Sequence, residues 1–243
     1  MRAIEAKELC KAYAGKRAVD RLSFDVEQGE IFSLLGMNGT GKTTTIRMLT
    51  GITAPDSGDA GVFGYSILSE LPEAKRLIGV SPQESAVAPK LSVRENLEFA
   101  AEIHGFSRAE ARQRAQEMIE RMNMAEITGK YAGRLSGGWQ RRLSIAMALM
   151  SGPKLLFLDE PTLGLDVLAR REFWKLLRSL RGQLTVLLTT HYLEEAEALS
   201  DRIAILKDGR LQASGTPAEL KALADADSFE DAFVRLASGE VEA

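Results

Sequence analysis

Apolar and polar positions along the chain fall into short runs of strand period and longer stretches of helix period. Residues 2–6 and 22–27 alternate apolar and polar side chains, and the second run ends at the turn Gln28-Gly29-Glu30. This predicts strands of a small antiparallel sheet. Residues 31–35 form an apolar run that predicts a buried strand, and residues 43–50 predict a helix stopped by Gly51. Residues 53–64, rich in Gly, Pro and Asp, read as loop and hairpin. A short apolar strand is expected at residues 78–81, just ahead of Pro82-Gln83. From Ser92 to about Met150 the period is helical, with Ala111, Ala115, Met118, Ile119 and Met122 on one face. Strand-like runs return at residues 155–158 and 184–190. Between them Phe173, Leu176, Leu177 and Leu180 mark an amphipathic helix. Residues 203–206 and 211–213 flank Lys207-Asp208-Gly209-Arg210, a hairpin signal, and the tail beyond about Pro217 reads as helical and acidic.

Apolar strands alternating with helices predict an α/β fold whose parallel sheet is covered on both faces. The helical block at roughly 88–150 interrupts that alternation and is expected to be a subdomain inserted into the α/β core.

Composition narrows the class without deciding it. The 243 residues carry a net charge of −3, so no global basic field draws the chain to nucleic acid or anionic lipid. A single cysteine, Cys10, excludes an internal disulfide and fits a reducing compartment. The charged N-terminal stretch does not read as a signal peptide, and no apolar window approaches the ~18 residues of a membrane span.

The stretch GMNGTGKT that follows the 31–35 strand fits G-x-x-x-x-G-K-[ST], a phosphate-binding loop. Glycines at 36, 39 and 41 let backbone N–H groups converge on an anion, and the helix that follows turns its positive end the same way. The expected nucleotide contacts are Gly36, Met37, Asn38, Gly39, Thr40, Gly41, Lys42, Thr43 and Thr44. Lys42 would reach the β- and γ-phosphates, and Thr43 would place its hydroxyl on Mg²⁺. A chance match is the bland reading, and the strand-to-helix junction argues against it. At 155–160 four apolar residues end in two acids. Ligands of a parallel sheet sit at the carboxyl ends of its strands, so Asp159 is placed to hold Mg²⁺ and Glu160 to act as general base on the attacking water.

A third motif, Leu135-Ser136-Gly137-Gly138-Trp139, resembles the LSGGQ signature of ATP-binding cassette (ABC) ATPases, and the likeness extends over about residues 2–220. The resemblance implies a P-loop, RecA-like parallel-sheet core with an N-terminal antiparallel β subdomain and the inserted helical subdomain. The ABC ATP-binding domain would span 1–220, with a short helical tail at 221–243. By the same resemblance Tyr13 stacks on adenine, Gln83 is the Q-loop glutamine and a further Mg²⁺ contact, Asp166 lies in the D-loop, and His191 is the switch histidine. Two such chains would pair head to tail, each ATP held between one chain's phosphate loop and the other's Ser136, Gly137 and Gly138. The physics agrees: Ser136 can cap the helix that begins there, and the two glycines expose N–H groups at its positive end. Trp139 departs from the family pattern, which most often has glutamine. Either it packs locally or it tunes turnover.

The resemblance implies two main possibilities, and in the transporters such a chain drives a separate polytopic membrane subunit from the cytoplasmic face. The segments at 89–97, 160–171 and 228–233 resemble the ABC-2 exporter group, so a transport ATPase, and export in particular, is the expectation. The alternative is a non-transport ABC ATPase, serving iron–sulfur assembly or acting as a regulatory module. On this reading the cargo is chosen by the membrane partner and is not written in this chain.

Overall fold

The computed structural model describes residues 1–239. Two sheets organise them. The larger has six strands in the order β10-β9-β3-β8-β7-β6. They are β3 (Ile31–Leu35), β6 (Ile78–Ser81), β7 (Leu155–Asp159), β8 (Thr185–Thr190), β9 (Arg202–Lys207) and β10 (Arg210–Gly215). The first five run parallel, and β10 closes the edge antiparallel to β9. Strands β3, β7 and β8 are buried at every position, which is why they read as continuous apolar runs. Their pleat sends alternate residues to opposite layers. Ile31, Leu156, Leu158, Val186 and Leu188 join one core, and Phe32, Leu34, Leu155, Phe157 and Leu187 join another.

The second sheet is antiparallel, in the order β2-β1-β4-β5, with β1 (Arg2–Tyr13), β2 (Lys16–Glu27), β4 (Ser57–Val62) and β5 (Tyr65–Ser66). It covers one face of the parallel sheet together with α1 (Lys42–Leu49). The expected pairing of residues 2–6 with 22–27 is present, Arg2 opposite Glu27 and Ala6 opposite Phe24. The two strands continue as one long hairpin to Tyr13 and Lys16. The segment expected as loop and hairpin at 53–64 also contributes a true strand, β4, which pairs with β1 from Ile4–Val62 to Cys10–Ser57. A short helix, α2 (Leu71–Lys75), precedes β6.

The other face carries the helices between β6 and β7: α3 (Val93–Ile103), α4 (Arg108–Arg121) and α5 (Gly137–Leu149). Each of the first two starts at a serine that accepts from the backbone N–H three residues on, Ser92 from Glu95 and Ser107 from Glu110. Each glutamate reaches back to its capping residue. Ala111, Ala115, Met118, Ile119 and Met122 form the buried face, as their spacing predicts. Helix α6 (Val167–Leu180) joins this layer through Phe173 and Leu177, while α7 (Leu193–Leu199), α8 (Pro217–Leu223) and α9 (Phe229–Ser238) pack around β9 and β10. The expected tail to 243 ends in four residues outside the described ones.

Candidate functional site

Three loops leave the carboxyl ends of neighbouring strands and meet at one cavity of about 540 Å³. The loop after β3 brings Asn38, Gly39, Gly41, Lys42, Thr43 and Thr44, the loop after β7 brings Glu160 and Leu163, and the loop after β8 brings His191. The β1–β2 hairpin adds Tyr13, Lys16, Arg17 and Ala18, and the loop after β6 adds Gln83. Three cations, Lys16, Arg17 and the buried Lys42, thus line it, which favours an anionic ligand.

The first loop is shaped by close approach. Gly41 caps α1 at φ 97°, a left-handed conformation, and a Cβ there would lie 2.4 Å from the Ala18 carbonyl oxygen. Only glycine fits both conditions. Lys42 is buried, and its Nζ donates to the Gly36 and Met37 carbonyls at 2.7 and 3.0 Å while standing 3.4 Å from the Glu160 carboxylate. Gly36, Met37 and Thr40 do not line the cavity. Gly36 and Met37 hold the lysine, and the Thr40 hydroxyl donates to Met37 O at 2.9 Å and tightens the turn.

Behind the loop, the Thr43 hydroxyl donates to Asp159 Oδ1 at 3.1 Å, and Thr189 Oγ1 donates to the same oxygen at 2.6 Å. No group of three or more His, Cys, Asp or Glu side chains suited to a metal occurs among the described residues. The Thr43 hydroxyl and Asp159 are oxygen donors of the kind a hard cation takes beside water and phosphate oxygens. Glu160 is a non-glycine residue at φ 46°. Such a conformation costs on the order of 1–3 kcal/mol and persists only where neighbours over-determine it. Here its N–H donates to Thr189 Oγ1 at 2.9 Å, and its carbonyl accepts from Arg141 at 3.1 Å. Its carboxylate meets His191 Nδ1 at 2.7 Å, and no side chain among the described residues engages Nε2. A carboxylate fixed between a lysine and a histidine at a polar opening is fitted to orient and deprotonate water.

Ser136 stands at the start of α5 with an extended backbone, yet its hydroxyl makes no capping bond, contrary to the expected side-chain cap. Ser136 and Gly137 are exposed and Gly138 half-buried, and none of the three lines the cavity. Across from them, Asp166 accepts from the Ala169 N–H at 2.9 Å and caps α6. Trp139 is half-buried against the helical core with the Arg142 guanidinium 4.8 Å from its ring, which is local packing. Residue-by-residue reading did not single out Lys16, Arg17, Thr189 or Arg141. The two basic residues sit beside Tyr13 and offered a charge signal, whereas Thr189 and Arg141 act only through tertiary contacts.

A family model described as ABC transporter matches residues 19–163. The daunorubicin/doxorubicin resistance ATP-binding protein DrrA of Streptomyces peucetius is 46% identical over 221 residues, covering 90% of this chain and 67% of that one. The Nod factor export ATP-binding protein I of Burkholderia thailandensis is 45% identical over 219 residues, with 89% and 72% covered. Among solved structures, the ATP-binding subunit of an ABC transporter superposes with a TM-score of 0.84 at 28% identity, over 96% of this chain and 99% of the other. A dimeric ATP-binding cassette in a post-hydrolysis state bound to ADP and Pi superposes at 0.78 and 27% identity, over 88% and 98%.

Proposed function

Because the chain belongs to the ABC transporter family, as an ATP-hydrolysing subunit similar to exporter ATP-binding proteins, we propose how its residues divide the work. ATP occupies the cavity with adenine on Tyr13, which is 45% exposed at the hairpin tip. Its phosphates lie along Asn38–Thr44, with Lys42 drawn from its own carbonyls to the β- and γ-phosphates. The hydroxyl of Thr43, Asp159 and the side chain of Gln83 hold Mg²⁺, which when bound neutralises the phosphate charge that develops in transfer. Glu160 takes a proton from the attacking water, and His191 fixes the Glu160 carboxylate and presents Nε2 toward the γ-phosphate. The observation that carries this reading is the Lys42–Glu160–His191 chain at 3.4 and 2.7 Å, at one end of a cationic cavity.

The signature residues lie outside their own chain's cavity, with an uncapped serine hydroxyl, Gly137 exposed and Gly138 half-buried, which suits the nucleotide of a second copy bound head to tail. Residues 1–220 serve as the ATP-binding domain and the remainder as its tail. The likeness to exporter ATP-binding proteins supports delivery of the work to a separate polytopic membrane subunit from its cytoplasmic face. Export is the direction that fits the exporter relatives. Glu160→Gln keeps the hydrogen bond to His191 and loses the base. Hydrolysis is expected to fall by about 100-fold or more, with ATP retained and a stable ATP-bound dimer on size exclusion. Near-normal turnover in that variant removes Glu160 from the role of base.

A further inference from the structure

Arg141 is 3% exposed on α5, and only the Asp159 and Glu195 carboxylates lie near enough to favour its charge, neither through a direct hydrogen bond among the described residues. Burying a cation is costly even with acids nearby, and an apolar side chain would fill the space more cheaply. What the guanidinium does is specific. It donates to the carbonyls of Pro82 and Gln83, the latter at 2.6 Å, to Ser81 Oγ at 3.5 Å, and to the carbonyl of Glu160 at 3.1 Å. One planar fork therefore ties the loop that carries Gln83 to the loop that carries the general base. The neighbouring Arg142 does nothing of the kind; it donates to Met122 O at 3.2 Å and lies over Trp139 within the helical layer.

Position on the helix gives this clamp a direction. Gly137 and Arg141 are four residues apart on α5, about one turn, so both ride on one rigid element. The residue at the far end of the clamp, Glu160, is held at a strained φ of 46°, where small backbone shifts re-aim the side chain. We infer that Arg141 is the positioning residue through which contact at Ser136–Gly138 is felt at the same chain's Glu160 and Gln83. The inference rests on the reading above that a second copy's nucleotide meets those signature residues. When that contact seats α5, Arg141 sets Glu160 and Gln83 for hydrolysis; without it the phosphate loop binds ATP but turnover is slow.

The test uses Arg141→Met and Arg141→Lys, each alone and combined with Glu160→Gln. Misplacing a catalytic group by about 1 Å costs about 100-fold, so Arg141→Met is expected to lower kcat by that factor with KM for ATP nearly unchanged. Arg141→Lys, with one donor cluster instead of a fork, is expected to fall between. In the Glu160→Gln background both variants still form the ATP-dependent dimer. Normal kcat in Arg141→Met overturns the inference. So does loss of the dimer in both double variants when Glu160→Gln alone dimerises, because Arg141 would then only build the signature surface. Failure of Glu160→Gln itself to dimerise with ATP strikes the head-to-tail reading instead.

Discussion

Glu195 on α7 is wholly buried four residues after His191, and the mechanism does not use it. Trp174 Nε1 donates to its Oε1 at 3.3 Å, and burial pushes its carboxyl above the usual range, with the nearby Glu160 charge adding to the rise. The sign of the linkage follows. In the unfolded chain this acid ionises above about pH 4.3, while in the folded chain it keeps its proton longer. Stability is therefore fully present below that pH and is lost as pH rises toward the folded value. Each unit of upward shift is worth about 1.4 kcal/mol. Glu195→Gln, neutral throughout, is expected to raise the melting temperature by an increment that grows as pH rises above about 4; a difference that does not change with pH counts against the burial cost. Residues such as Glu195 and Arg141 were not legible in the sequence, because their partners lie on other elements: Trp174 for one, Gln83 and Glu160 for the other. The phosphate loop and the acids at 159–160 were legible, because their chemistry is written in contiguous residues at a strand end.

Among the elements, β6 and α5 show how tightly the helical layer is set on the sheet. A Cβ on Gly79 of β6 would lie 2.4 Å from the Ala148 carbonyl of α5 and 3.1 Å from Pro153 Cγ. The backbone cannot yield there without moving the helix that carries the signature residues and Arg141. Gly79→Ala is expected to destabilise the fold by about 1–3 kcal/mol as an overpacking change, read as a lowered denaturant midpoint at unchanged slope. A wild-type midpoint would show that the α5–β6 approach is looser than its contacts imply. Parallel strands were easy to foresee because burial on both faces leaves an unbroken apolar run, as at Leu155–Asp159. The antiparallel sheet was harder. Register shifts between Ala6 and Leu9 and again at Lys11 break the alternation of β1, with Glu8 at φ 48°, so the pattern fades after Ala6 although pairing continues to Tyr13. Strand β4, SGDAGV, pairs with β1 and buries Ala60 and Val62 in the core, but its Gly, Ser and Asp make its composition read as a turn.

At the scale of the whole molecule, the exposed apolar side chains mark faces suited to contact with other chains. Val167 and Leu168, 64% and 74% exposed, follow Asp166 on the rim beside the signature residues, which suits burial against a second copy. On the helical layer Phe99 is 47%, Ile103 66% and Tyr131 49% exposed. Apolar groups gathered on a polar rim mark contact with another protein more often than chance. On the proposed function, such contacts are where a membrane subunit would take up the work of hydrolysis. The chain, tagged in its native host and recovered from membranes in mild detergent, is accordingly expected to bring down a polytopic membrane protein in near-equal amount. That protein's own lining would identify the cargo, since nothing in the nucleotide cavity distinguishes one exported molecule from another. Recovery solely from the soluble fraction, with soluble partners or none, would remove the membrane subunit from the account and leave the nucleotide chemistry of Lys42, Glu160 and His191 in the service of assembly or regulation.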